Sequence, residues 1–176
     1  METPKANSVM TWRAEKQAYS FENSVRASMA AQVLSMIYLK KIREDAGAAY
    51  SCGAQASFSR NDFGTQTQIT AYCPVKPEKA ELALNIMRDE METLAKTCDA
   101  DKLEKVKEYM LKSLDDQLKT NNYWLNAIFN YVNYNLDFHT NAKAVIEAQT
   151  PETISAFVAD VLKQGNRAEI LMLPEE

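Results

Sequence analysis

Among the side chains of this sequence that could do chemistry, Arg43 and Tyr50 stand out, on either side of a reversal in Ile42-Arg43-Glu44-Asp45-Ala46-Gly47-Ala48-Ala49-Tyr50. A guanidinium offers a planar fork of N–H donors and a phenol offers one O–H. Together they can hold a carbonyl or meet a developing oxyanion. Gly47 suits the reversal between them, because positive φ costs glycine least. Upstream, Val25, Met29, Val33 and Met36 recur with the period of a helix that buries one face. Downstream, Tyr50, Cys52, Ala54, Ala56 and Phe58 share one side of a strand. The pattern predicts Arg43 in a last helical turn and Tyr50 at a strand start. A plainer account of the same spacing stays open: Arg43 compensates the helix macrodipole and Tyr50 is a half-buried strand aromatic.

Other chemistries find little support. His139 is the single histidine, and the chain contains no His-x-x-Glu-His, Cys-x-x-Cys or glycine-rich phosphate loop. One imidazole without partners does not hold zinc, so His139, in Leu136-Asp137-Phe138-His139-Thr140-Asn141, reads as a surface residue of an interhelical connection. Cys52, Cys73 and Cys98 make no disulfide framework. Cys52 and Cys73 can approach across a hairpin, and free thiols are the expectation. The net charge of -4 argues against a nucleic-acid surface, which needs a concentrated basic face. No apolar run approaches a membrane span and no signal-peptide h-region opens the chain, so an export signal, if the parent has one, lies outside it.

With 176 residues, 46% of them hydrophobic, the chain is sized for a single domain, 1–176, with a sizeable core. Residues 1–7 are expected to fray. Val9, Met10 and Trp12 suggest a short strand. Ser20 or Asn23 can cap a long helix ending near Asp45 or Ala46. Ser59-Arg60-Asn61-Asp62 reads as the hairpin turn, and Thr65 to Cys73 as its return strand. Pro77 opens a helix whose core stripe is Ala80, Leu84, Met87, Met91 and Leu94. Asp101 and Glu104 resemble a capping box ahead of Leu103, Val106, Met110, Leu114 and Leu118. The segment after Asn121-Asn122 is the most aromatic of the chain and apolar nearly all round. Such a helix either runs through the core or turns a face to another domain. A short helix near Ala142 to Ala148, a Thr150-capped helix ending at Gly165, and a strand from Ala168 to Leu173 close the order. The whole is an α+β layout: a mostly antiparallel sheet of about four strands with helices packed on one face.

The stretch from Leu39 to Tyr50 resembles the C-terminal domains of the pitrilysin/insulinase (inverzincin) zinc metallopeptidases, which carry an arginine and a tyrosine at this separation. Ala71-Tyr72-Cys73-Pro74 leading into a helix, and Asn122-Tyr123-Trp124-Leu125 after a charged helix, extend the likeness over roughly Val9 to Pro174, closest to bacterial members. The resemblance implies a C-terminal domain that closes over a peptide substrate held at a zinc site in the N-terminal half of the same protein. It implies that Arg43 hydrogen-bonds a substrate carbonyl. It also implies that Tyr50 donates its O–H to the oxyanion at the scissile carbonyl, beside zinc acting as Lewis acid. This chain lacks the family's zinc motif, so the cofactor is expected in the other half and the chain alone is expected to be inactive. The bacterial periplasm or cell envelope is the compartment the resemblance favours. Two other readings remain open: a non-catalytic assembly subunit, and an unrelated α+β interaction module.

Overall fold

The computed structural model describes residues 5–61 and 63–174. Its sheet begins with β1 (Ala6–Ala14), which turns Ala6, Ser8, Met10, Trp12 and Ala14 inward. Two residues expected to fray, Ala6 and Asn7, are therefore in the sheet: Ala6 is fully buried and pairs with Val75. Residues 1–4 lie outside the described part. β2 (Gly53–Asn61) and β3 (Gly64–Val75) form the expected hairpin, but pairing continues to Asn61↔Gly64. The turn thus falls beyond Ser59 and Arg60, and Asp62 within it is not among the described residues. β4 (Asn166–Met172) runs antiparallel to β1 and gives the order β2-β3-β1-β4.

The register puts inward side chains in rows across the sheet. Ala54, Ala71 and Met10 make one row, and Ala56, Ile69 and Trp12 the next. The opposite face carries polar rows such as Gln55, Thr70 and Thr11, with the two threonine hydroxyls 2.9 Å apart. A sheet apolar on one side only takes its helices on that side, as expected for this α+β layout.

Ser20 caps α1 (Phe21–Tyr38), its hydroxyl accepting from the Asn23 N–H. α1 buries more than the predicted stripe: Ala27, Ala30, Ala31, Leu34 and Tyr38 join Val25, Met29 and Val33 in the core, and Met36 is only half-buried. The reason is position. α1 lies against β2 on one side and α3 and α6 on others, so alanines at its remaining positions let neighbours approach closely.

After the short 3-10 turn Pro77–Lys79, α2 (Ala80–Lys96) presents the predicted core stripe. α3 (Ala100–Gln117) is capped by Asp99, which accepts from Lys102 N–H at 3.0 Å, so the cap lies two residues before the predicted Asp101. α4 (Asn121–Tyr134) starts on Thr120 and ends at Asn135, which adopts the left-handed conformation. Asn130 is its one buried residue, so α4 does not run through the core. α5 (Ala142–Glu147) leads to α6 (Pro151–Lys163), where Thr150 and Thr153 form a reciprocal capping box.

Candidate functional site

The helix entering the site does not end as an α-helix. From Leu39 to Asp45 the backbone widens into a π-helical segment, and Ala46 N–H donates to Lys41 O, five residues back, at 3.1 Å. Gly47, at φ +56, then reverses the chain, and Ala48 N–H donates to Ile42 O at 2.9 Å. A π segment re-aims every side chain that follows it around the helix axis, and such segments concentrate at functional sites. Arg43 sits within this one. Nothing in the apolar period upstream signals the change of winding.

Buried side chains hold the segment to the rest of the domain. Ile42 is fully buried, and the Tyr38 hydroxyl donates to Met87 O of α2 at 3.0 Å. Burial pushes the Tyr38 phenol far above its usual range, with the Glu90 charge adding to the effect. Lys41 forms an ion pair with Glu90, whose side chain is only 10% exposed. On the far side of the turn, Ala49 bridges to Val75 and Lys76 N–H donates to Ala48 O at 3.2 Å. The Cys73 thiol contacts Ser51 O at 3.8 Å. Ser35 ties α1 to the strand that follows: its hydroxyl accepts from Ala54 N–H at 2.8 Å and lies 2.9 Å from Ala54 O.

On this braced turn Arg43 and Tyr50 are both exposed, Tyr50 by 87%. The Arg43 Cζ lies 5.7 Å from the centroid of the Tyr50 ring, a cation–π contact at an exposed site. The strand begins at Gly53, three residues after Tyr50, which corrects the expectation of a tyrosine at the strand start and removes the half-buried strand aromatic as its explanation. A Cβ on Gly53 would lie 3.3 Å from the Tyr72 hydroxyl and 3.4 Å from Ser35 Oγ, so this close approach suits glycine. Arg43 remains in the last turn, where its charge also compensates the helix dipole. Cavities of about 280 to 700 Å³ among the described residues are lined by other side chains, one of about 700 Å³ by Trp12, Arg88, Lys96 and Arg167 among others. The pair thus stands on open surface.

Beneath it lie Cys52 and Cys73, both buried and free. Burial pushes the Cys52 thiol up, against the lowering effects of its hydrogen bond with Cys73 and of the Arg43 charge. Burial pushes Cys73 up further. Neither is poised as a nucleophile, which needs a thiolate. The donor set does not fit zinc either. Among the described residues no three His, Cys, Asp or Glu side chains are grouped to hold a metal ion. His139 is half-buried, its Nδ1 3.0 Å from the Tyr123 hydroxyl and its ring 4.6 Å from Trp124.

These features define an α+β domain that offers a guanidinium and a phenol from a braced turn. The family model described as "Peptidase M16 inactive domain" matches residues 1–110, and the chain belongs to that family, in agreement with the resemblance noted for Leu39 to Tyr50. No curated protein matches the sequence. Solved structures share the fold. The ferredoxin protease FusC in complex with Arabidopsis ferredoxin superposes with a TM-score of 0.76 at 19% identity, over 98% of this chain and 19% of FusC. The periplasmic protease PqqL from Escherichia coli gives 0.75 at 19% identity, over 99% of this chain and 20% of PqqL. A peptidase M16 inactive domain from Pseudomonas fluorescens gives 0.71 at 14% identity, over 97% of this chain and 41% of that one. The chain thus spans about a fifth of the length of FusC and PqqL.

Proposed function

We propose that this domain binds substrate for a zinc metalloendopeptidase, closing over a peptide held at a zinc site in the N-terminal half of the parent protein. The observation that carries the reading is the exposed Arg43–Tyr50 pair on a turn braced from both sides, in a chain of the Peptidase M16 inactive-domain family. Arg43 projects a planar donor fork that can take one or two backbone carbonyls of an extended peptide. Tyr50 keeps its hydroxyl in solvent until substrate arrives, then donates to the scissile carbonyl oxygen as negative charge develops there. The contacts that brace the turn limit the backbone freedom lost when the pair engages substrate, leaving mainly side-chain rotamers to be ordered. Metal and attacking water belong to the other half. The periplasmic PqqL is consistent with a periplasmic or envelope protease as the parent.

Steady-state kinetics of the intact parent with a fluorogenic peptide test this. Arg43→Ala should raise KM and lower kcat/KM, because a backbone contact is made in both ground and transition states. Arg43→Lys should rescue poorly, since a point charge cannot replace the fork. Unchanged KM in both variants would remove Arg43 from substrate binding.

A further inference from the structure

α4 turns its more apolar side away from the domain. On a 3.6-residue repeat, Tyr123, Ala127, Asn130 and Tyr134 face inward, and Trp124, Leu125, Ile128, Phe129, Tyr131 and Val132 face outward. The inner side is held largely by polar and ring contacts. The Tyr19 hydroxyl donates to Asn130 Oδ1 at 2.8 Å, the Tyr134 hydroxyl to Arg60 O at 3.0 Å, and Arg60 lies over the Tyr134 ring. The outward six are between 42% and 72% exposed. At about 150–250 Å² for an aromatic side chain and somewhat less for an aliphatic one, their exposed parts amount to about 700 Å². That exceeds the largest apolar patch of an ordinary monomer and approaches the area one partner contributes to a standard interface, about 800 Å².

Charge points the same way. Between Lys119 and Asp137 the sequence contains no charged residue, in a chain where 25% are charged. A surface rich in aromatics and without charge is the composition of an interface centre, not of a solvated helix. We infer that the outer face of α4 docks on another domain of the parent polypeptide, one that presents an apolar surface free of charge. This rests on the proposed reading that such a parent exists. The match to this chain spans 19% of FusC and 41% of the Pseudomonas fluorescens chain, so in those proteins the matching domain has further polypeptide of the same chain available to dock on it. The face is also distinct from the Arg43–Tyr50 site. Phe21, at the start of α1, packs on Phe138 just beyond α4, whereas Arg43 lies beyond the other end of α1, about 30 Å away at 1.5 Å per residue.

The test produces the parent in two pieces, this chain and the remainder, and measures their association by sedimentation and calorimetry. The double variant Leu125→Glu with Val132→Glu should weaken association at least a hundredfold, with circular dichroism and melting of the isolated chain unchanged. Arg43→Ala and Tyr50→Phe should leave association intact, which separates docking from peptide binding. A Val132→Cys label provides a second readout: maleimide should react quickly in the isolated chain and at least tenfold more slowly in the intact parent. Unchanged association in the double variant, or equal labelling in both forms, would overturn the inference. So would a dimer of this chain alone, abolished by the same double variant, since a second copy would then be the occupant.

Discussion

Tyr50→Phe removes one oxygen and keeps the ring over which the Arg43 guanidinium lies. At 87% exposure the hydroxyl is satisfied by water, so its loss strands no buried group and the cation–π contact survives. Stability should change by no more than about 0.5 kcal/mol, the range for surface substitutions. In a domain of this size that moves Tm by at most about 2 °C. The catalytic effect is expected to be far larger. If the hydroxyl donates to the oxyanion, the lost interaction belongs to the transition state, and comparable donors are worth about a hundredfold or more in kcat, about 2.7 kcal/mol. KM should hardly move, because the ground-state carbonyl gains little from the same donor. The assay is kcat and KM of the parent on a fluorogenic peptide, with thermal melts as the control for folding. A kcat equal to the parent's at unchanged Tm would mean that no charge develops within reach of Tyr50, and the pair would be a surface contact only.

Gly47→Ala should cost about 1–2 kcal/mol in denaturant unfolding, because its φ of +56 strains any Cβ-bearing residue while an added Cβ meets nothing within 4 Å. An unchanged midpoint would show that the turn relaxes. Ser35→Ala should cost about 1–3 kcal/mol by leaving the Ala54 N–H without its 2.8 Å acceptor, and a loss below 0.3 kcal/mol would mean water replaces it. Cys98 is pushed up by burial from 9.0 to about 11, so the stability it contributes is complete below pH 9 and lost as pH rises from 9 towards 11. Urea unfolding at pH 8 and 10.5 should show a larger decline than in Cys98→Ala, which keeps the part contributed by the raised Cys52, Cys73 and Tyr38, and equal declines would refute it. Metal analysis of the isolated chain should find no equimolar zinc, and a peptide library should remain uncut; tight zinc, or cleavage abolished by a chelator, would contradict this.

Several features follow from residue order alone. The period of α2 and of α6, the Thr150-Pro151 start, the glycine at position 47 and the inward alternation of β3 are all local, and local rules suffice because each depends on neighbours within a turn or two along the chain. Arg43 and Tyr50 were also legible, since one reversal at Gly47 is enough to bring them near each other. The winding of Leu39–Asp45, the start of β2 at Gly53 and the brace from Ser35 to Ala54 were not. They depend on Ile42 and Tyr38 being pulled into the core beside α2, and on an α1 hydroxyl satisfying a strand backbone 19 residues away. The hydrophobic run of α4 left two outcomes open, and tertiary packing rules out a course through the core. Tyr19, Arg60 and Phe138 occupy its inner side, and the domain core is closed without Leu125, Ile128 or Val132. Periodicity reports which side chains leave water, but only the packed fold decides whether this domain or another covers them.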